Sequence, residues 1–280
     1  MKRRLSALCL ALTLLVLQGG CAWNQKTVTV GGQTVVVDSS VPGSTLDAAD
    51  FSRQKDGTIV YSGGKYLMGI DVSAHQGKIN WKKVAKKVDF AMIRMGYRGY
   101  TEGVLAEDGA FAYNMKHALK NGLQVGVYFF SQAVSAEEAA EEARYLLAAI
   151  QSYDVTLNVA YDWEPIDNVE PGTARTEQVS EETVTQCAAA FCDVIRKAGY
   201  QPALYCNGML GYLSYDLTEL PDVELWYANY DSTSPDFAYR IRMWQYTDSG
   251  KLDGVTGKVD YNLYFCDEKA AEGEAEKSEN

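Results

Sequence analysis

Two carboxylates stand two residues apart at the end of a predicted strand. In NVAYDWEPI, residues 158–166, an apolar run ends in Asp162 and Glu164. Side chains at positions i and i+2 of a strand lie on the same face, with their Cα atoms roughly 6.5–7 Å apart. At that separation each negative charge raises the pKa of the other carboxyl group, so one acid stays protonated while its neighbour is ionised. Cleavage of a glycosidic bond needs that division of labour between two acids.

Three further charged residues occupy predicted strands. Asp71 lies near the end of MGIDVS, Asp260 lies in KVDYNLYF, and Arg94 shares the alternation of Phe90 and Met92. An arginine is seldom found on such an apolar face unless it pairs with an acid. In α/β barrels the catalytic groups cluster at the C-terminal ends of the strands. We therefore expect these three residues to meet the Asp-x-Glu pair at one barrel mouth.

The elements that must position these residues run from residue 67 to residue 266. Helical stretches are predicted at 81–87, 107–121, 135–151 and 180–198, with Ser135 and Ser180 as N-terminal caps and Gly122 and Gly199 as C-terminal glycines. The predicted strands read as continuous apolar runs, which is typical of strands buried on both faces. They are YLMGIDVS, VDFAMIRMG, LQVGVYFFS, LNVAYDWEP, QPALYCN, VELWYANY, IRMWQYT and KVDYNLYF. The pattern predicts an α/β fold, a modified TIM-like β/α barrel of eight strands with few helices in its last three units.

The motifs GIDVSAHQGKINW, FAMIRMGYRG, AYDWEP, LWYANY and MWQYTDSGKLDGVTGKVDYNLY occur in this order. In residues and spacing they resemble the family 25 glycoside hydrolases, the lysozymes (muramidases) of bacteria and phages. The resemblance implies a modified β/α barrel that cleaves the β-1,4 bond between N-acetylmuramic acid and N-acetylglucosamine with retention of configuration. It places the family's Asp-x-Glu on Asp162 and Glu164, its first-strand Asp on Asp71 and its last-strand Asp on Asp260. Asn80 stands where Asp is more common, and Asn caps a helix as well as Asp does.

Each carboxylate has an expected role. Glu164 is the candidate general acid that protonates the leaving sugar oxygen. Asp162 has two open roles, because it can attack the sugar carbon directly or orient the substrate's own 2-acetamido group while that group attacks. Asp71 and Asp260 are expected to tune this pair and to bind sugar hydroxyls.

Five further residues are candidates for substrate contacts. Tyr128, Trp163 and Tyr227 can offer apolar faces to sugar rings, although each also fits a place in the core. Gln245 can hydrogen-bond the acetamido group, and Arg94 is expected to lie beside the acids. The two histidines of the chain are too few for a zinc ligand set, and no metal or cofactor is expected.

The ends of the chain predict export and attachment to a membrane. A basic start followed by LSALCLALTLLVL and QGGC has the layout of a signal peptide over residues 1–20, with a lipid on the thiol of Cys21. Ordinary secretion and an uncleaved anchor stay open, because Gln18 occupies the position where lipoprotein signals usually carry Leu. Residues 21–66 are expected to form a spacer with a small hairpin, and residues 267–280 an acidic disordered tail. The working part of the chain is therefore expected outside the cytoplasm, as a cell-membrane lipoprotein or secreted to the cell wall.

Other functions fit the sequence less well. The net charge of −11 argues against nucleic acid as a partner. A family 18 chitinase-like N-acetylglucosaminidase would need acids where Leu157 and Ala160 stand. A non-catalytic peptidoglycan-binding module would normally have lost one of the acids, and none is missing. The expected partner is the glycan strand of peptidoglycan, bound by a monomer. For the four cysteines after residue 21, buried thiols and disulfides both stay open.

Overall fold

The structure, a computed structural model, describes residues 25–166, 169–230 and 232–266. Within these ranges the strands and helices are, in chain order, β1 (Thr27–Val30), β2 (Gln33–Val36), β3 (Phe51–Arg53), β4 (Ile59–Tyr61), β5 (Tyr66–Val72), α1 (Trp81–Val84), β6 (Phe90–Arg98), β7 (Leu105–Glu107), α2 (Phe111–Lys120), β8 (Gln124–Ser131), α3 (Ala136–Ile150), β9 (Val159–Trp163), α4 (Glu181–Lys197), β10 (Pro202–Asn207), β11 (Glu224–Ala228), β12 (Met243–Gly250) and β13 (Val259–Phe265). The eight strands and four helices predicted from residue 67 onwards are all present.

Eight strands close into a barrel in the order β5-β6-β8-β9-β10-β11-β12-β13, and β5 pairs with both β6 and β13. The first seven run parallel to one another, whereas β13 is antiparallel to both of its neighbours, β12 and β5. Helices α1 to α4 connect the early strands, and a π-helical turn and a 3-10 turn replace a helix between β10 and β11. The predicted barrel with few helices in its last three units is confirmed.

Capping residues begin α3 and α4, and glycines follow α2 and α4, at the positions that the sequence predicts. The hydroxyls of Ser135 and Ser180 accept hydrogen bonds from the backbone N–H groups three residues further on, and so cap α3 and α4. Gly122 and Gly199 follow α2 and α4 with φ of +82° and +89°, a left-handed conformation that glycine adopts without steric cost. These caps fix where each helix begins and where the chain turns back to the barrel.

The barrel interior is apolar in its lower part. Alternate side chains of the strands point inward and form one packed cluster: Phe90, Met92, Tyr128, Ala160, Ala203, Tyr205, Trp226, Ala228 and Met243. Gly69 of β5 leaves room for this cluster, because a Cβ at that position would collide with the ring of Phe90. The opposite faces of the strands belong to a second, larger cluster between the barrel and its helices. Asp71, Asp162 and Asp260 lie beyond this cluster at the mouth, and at the other end of the barrel Asn158 donates to Glu224 at 2.9 Å.

The N-terminal segment differs from the expected spacer. Strands β1 and β2 form the predicted hairpin around Gly31 and Gly32. The chain that follows is packed on the barrel, since Phe51 and Ile59 are 7% and 1% exposed and belong to the outer core cluster. The N–H of Asp38 also donates to the hydroxyl of Tyr239 at 2.9 Å. Strands β3 and β4 have three residues each, too few to show a period in the sequence, and their burial comes from contacts with distant parts of the chain.

Several predictions concern residues at the ends of the chain. The predicted signal peptide, Cys21 and the acidic tail lie outside the described residues. No helix in the described part of the chain is long and apolar enough to cross a membrane.

Cys187, Cys192 and Cys206 are buried thiols, and burial raises the pKa of each to about 12. For these three cysteines the thiol alternative holds.

Candidate active site

The Asp-x-Glu pair lies at the mouth of the barrel, where β9 ends. Asp162 follows the inward alternation of Ala160, is 6% exposed, and shares a hydrogen bond with the side chain of Glu164. Burial, the negative charge of Glu164 and that of Asp71 raise the pKa of Asp162 well above its usual range, and Arg94 opposes this effect. A hydrogen bond between two carboxyl groups needs a proton on one of them, so this contact favours a pair that shares one proton.

Asp71 and Asp260 face each other across the β5–β13 pairing. Residues directly opposite in an antiparallel pair have Cβ atoms about 4.5–5.5 Å apart, which brings the two carboxyl groups together. Burial and the charge of Asp71 raise the pKa of Asp260 to about 8. Asp71 instead accepts hydrogen bonds on Oδ2 from the amides of Asn262 and Gln245, at 2.8 and 2.7 Å. Burial raises the pKa of Asp71 as well, but these donors and Asp260 stabilise its charged form, so the geometry favours a proton on Asp260 and a charge on Asp71.

Gln245 connects Asp71 to two tyrosines at the rim. Its Oε1 accepts hydrogen bonds from the hydroxyls of Tyr205 at 2.9 Å and Tyr230 at 2.6 Å, while its Nε2 donates to Asp71. The amide is therefore oriented by this network. Its contact with a substrate acetamido group stays a prediction, for which one N–H remains.

Arg94 lies at the mouth, and its partner is an acid that the sequence analysis did not single out. Its guanidinium makes an ion pair with Asp108 through Nε and Nη2, both at 2.8 Å from Oδ2. Asp108 is fully buried and also accepts from the backbone N–H groups of Ala74 and Ala110. The expectation that Arg94 pairs with an acid is correct, and the positive charge stands close enough to lower the pKa of Asp162.

The three predicted aromatic contacts separate into two groups. Tyr128 points into the barrel and packs edge-on against Trp226. Burial and the negative charges of Asp71, Asp162 and Asp260 raise the pKa of its hydroxyl. Trp163 and Tyr227 lie on the outward faces of β9 and β11, in the outer core cluster.

The outward side chains of Trp163 and Tyr227 have partners away from the carboxylates. The indole N–H of Trp163 donates to the carbonyl of Ala133 at 3.1 Å. Tyr227 stacks on Phe237 and donates to Asp236. The structure therefore brings Tyr128 to the acids and keeps Trp163 and Tyr227 away from them.

A buried glutamine supports the backbone of the pair. Gln132 follows β8, has no exposed surface, and donates through Nε2 to the backbone carbonyl of Glu164 at 2.6 Å. Its Oε1 accepts from the hydroxyl of Thr176 at 3.3 Å. This contact fixes the end of β9 against the end of β8. The sequence carries no periodic signal for it, since Gln132 lies one residue beyond its strand.

A sequence model of the glycosyl hydrolases family 25 matches residues 70–255, about two thirds of the chain. The chain belongs to this family. It is a glycoside hydrolase of the lysozyme type, and the matched region contains Asp71, Asp162 and Glu164 but ends before Asp260.

Relatives of known sequence agree with the family 25 assignment. The uncharacterized protein YegX of Escherichia coli (strain K12) is 30% identical over 202 residues, which cover 71% of this chain and 69% of that protein. Lysozyme M1 of Streptomyces globisporus is 27% identical over 210 residues, which cover 71% of this chain and 67% of the lysozyme.

Among solved structures, a family 25 glycosyl hydrolase from Bacillus anthracis is similar with a TM-score of 0.59 and 25% identity, over 74% of this chain and 92% of that one. The spore cortex lytic enzyme SleM of Clostridium perfringens has the same fold, with a TM-score of 0.62 and 24% identity, over 73% of this chain and 69% of that one. The family 25 region begins after β1 to β4, so the N-terminal segment packed on the barrel lies outside the matched residues.

Proposed function

We propose that this family 25 enzyme is an N-acetylmuramidase that cleaves the β-1,4 bond between N-acetylmuramic acid and N-acetylglucosamine in peptidoglycan, with retention of configuration. Family membership supports the class of bond. The observation that carries the mechanism is the hydrogen bond between the carboxyl groups of Asp162 and Glu164 at the mouth of a closed barrel. A pair in this state supplies an acid and a carboxylate within one site.

Glu164 acts as the general acid. Asp162 lies deeper than Glu164, and the hydrogen bond between the two carboxyl groups lets the shared proton pass to Glu164. When the glycosidic bond breaks, the proton moves from Glu164 to the oxygen of the leaving sugar, and Asp162 is left ionised. The negative charge of Asp162 then stabilises the positive charge that develops on the sugar ring.

Asp162 orients the substrate's acetamido group in this mechanism. Its Oδ1 is buried and has no hydrogen-bond partner within the described residues, so it is available to accept the acetamido N–H. The acetamido carbonyl oxygen attacks the anomeric carbon as the bond to the leaving oxygen breaks. Water then attacks the same carbon, gives its proton to the Glu164 carboxylate, and opens the oxazolinium ring with net retention. Direct attack by Asp162 predicts that fluorination of the acetamido methyl group leaves the rate unchanged, whereas our mechanism predicts a lower rate with each fluorine.

Asp71 and Asp260 tune this pair. The ionised Asp71 raises the pKa of Asp162 and so helps to keep the shared proton in the pair. The half-buried Asp260 donates its proton to Asp71, and its other oxygen can accept a hydrogen bond from a sugar hydroxyl. Arg94 limits the accumulated negative charge from the other side.

The enzyme works outside the cytoplasm in our proposal. Cleavage before Cys21 and lipid attachment to its thiol would anchor the chain to the membrane, and residues 25–266 would form one catalytic unit. A monomer suffices, because Asp71, Asp162, Glu164 and Asp260 come from one barrel.

Digestion of purified peptidoglycan tests the proposed bond specificity. The products are reduced with borohydride, and the reduced amino sugar is identified. A new muramic acid reducing end is the expected result. A new glucosamine reducing end would identify a glucosaminidase, and no new reducing end at all would contradict the proposed function.

A further inference from the structure

Two tyrosines at the barrel mouth are half-exposed. Tyr97, at the end of β6, is 38% exposed, and Tyr230, after β11, is 40% exposed. Single exposed apolar residues are common on proteins and need no explanation by themselves. These two differ from such residues because each contacts a residue that acts on an active-site carboxylate, Arg94 for Tyr97 and Gln245 for Tyr230.

The contacts of the two rings place them at the rim. The guanidinium carbon of Arg94 lies 5.6 Å from the ring centre of Tyr97, and the positive charge of Arg94 stabilises the ionised form of Asp162. The hydroxyl of Tyr230 donates to Gln245, which in turn donates to Asp71. Neither ring was singled out by the sequence analysis.

The strand order puts these tyrosines on opposite sides of the mouth. In the ring of eight strands β6 and β11 are four positions apart, and β9 and β13 are the strands midway between them on the two sides. The line from Tyr97 to Tyr230 therefore passes between Asp162 on one wall and Asp260 on the other. With strands about 4.8 Å apart, opposite strands of such a barrel are separated by at least about 12 Å, too far for one sugar ring to contact both tyrosines.

Both rings have rigid supports. Tyr97 lies in the β6–β7 pairing opposite Ala106, and the next residue, Arg98, is 4% exposed and donates to Glu142 at 2.7 Å and to the carbonyl of Gly103 at 2.7 Å. Tyr230 is held through its hydroxyl by Gln245. A preformed aromatic face loses little conformational entropy when a ligand binds to it.

We propose that the glycan strand crosses the mouth along the line from Tyr97 to Tyr230, and that each ring stacks on a different sugar, one on either side of the bond that is cut. This inference rests on the proposed function, because it assumes a β-1,4 amino-sugar polymer. Sugar rings carry apolar C–H faces, which fit a half-exposed tyrosine whose hydroxyl stays hydrated or hydrogen-bonded. The enzyme would thus prefer long glycan fragments over short ones.

Glycan fragments of increasing length test this path. The KM and kcat for di-, tetra- and hexasaccharide fragments of peptidoglycan are measured for the wild type, Tyr97→Ala and Tyr230→Ala. Tyr97→Phe and Tyr230→Phe keep the aromatic face, and Val60→Ala removes an exposed apolar side chain from β4. For the hexasaccharide, each alanine variant should raise KM about tenfold, equal to about 1.4 kcal/mol. Each phenylalanine variant should raise KM less than its alanine counterpart, and Val60→Ala should leave KM unchanged.

Several results would separate a failure of this inference from a failure of the proposed function. Folded alanine variants with a hexasaccharide KM within twofold of wild type would overturn the glycan path and leave the muramidase proposal intact. A wild type that cuts none of the fragments would contradict the muramidase proposal. In that case calorimetric binding of the hexasaccharide still tests the path, since the alanine variants should lose about tenfold in affinity, and equal affinities would refute it.

Discussion

Truncation of Phe51 tests whether the N-terminal segment is part of the folded enzyme. The ring is 7% exposed and lies 4.7 Å from Tyr61, 5.6 Å from Trp244 and 6.0 Å from Phe265, measured between ring centres. Trp244 and Phe265 belong to the barrel, so Phe51→Ala opens a cavity between the segment and the barrel. Substitutions of buried Phe by Ala typically lower the free energy of unfolding by about 3–5 kcal/mol. We expect a loss in this range, because three aromatic neighbours cannot all move into the space.

Urea denaturation at fixed pH gives the free energy of unfolding and its m-value. Val60→Ala is the matched control, because Val60 is 39% exposed on the adjacent strand β4 and its truncation should change stability by less than about 0.5 kcal/mol. A Phe51→Ala loss below about 1 kcal/mol with an unchanged m-value would mean that the segment is a loosely attached spacer. Because Phe51 and Ile59 are buried against the barrel, removal of residues 25–63 should also lower the free energy of unfolding. The sequence pattern indicated a spacer, whose removal would leave stability unchanged.

Three further predictions follow from the charges and the chain start. Folding raises the pKa of Asp260 to about 8, so the native state keeps a proton that the unfolded state releases above about pH 4. As the pH rises from about 4 to about 8, the free energy of unfolding should therefore fall by up to about 1.4 kcal/mol per pH unit. Asp260→Asn should flatten this decrease in pH-dependent denaturation, and an unchanged slope would refute the assignment. Arg94→Met leaves Asp108 buried without its ion pair and should cost about 3–5 kcal/mol in urea denaturation, whereas a cost near zero would show that backbone donors suffice. Cys21→Ser should release the protein from membrane fractions or block its processing, and a lipid-free mature N-terminus at another residue would contradict the lipoprotein proposal.

Strand alternation predicted much of the site and also shows where the prediction failed. The i and i+2 rule placed Asp162 and Glu164 together, and the same rule puts Trp163 on the other face, where the structure has it. For Tyr227 the sequence gives no such decision, because its neighbour Trp226 is also a large aromatic residue and either can point inward. The partners Asp108 and Gln132 lie just beyond strands β7 and β8, where periodicity ends.

The direction of β13 had a signal that the sequence analysis did not use. Eight residues separate β12 from β13, and a parallel connection needs a dozen or more. The antiparallel direction brings the N-terminal end of β13 to the mouth, which explains how Asp260, its second residue, meets Asp71. The burial of Phe51 had no comparable signal, because it depends on contacts with residues about 200 positions away.

The rate at which Glu164→Gln releases reducing ends from purified peptidoglycan tests the central claim most directly. Gln keeps the size of the side chain but cannot donate the catalytic proton, and general acid catalysis contributes about 10²–10⁴-fold. Glu170→Gln is the control, since Glu170 is an exposed glutamate in the loop that follows the pair. We predict that Glu164→Gln loses at least about a hundredfold in kcat with unchanged or higher stability, and that Glu170→Gln keeps wild-type activity. Wild-type turnover in a folded Glu164→Gln protein would contradict the proposed mechanism.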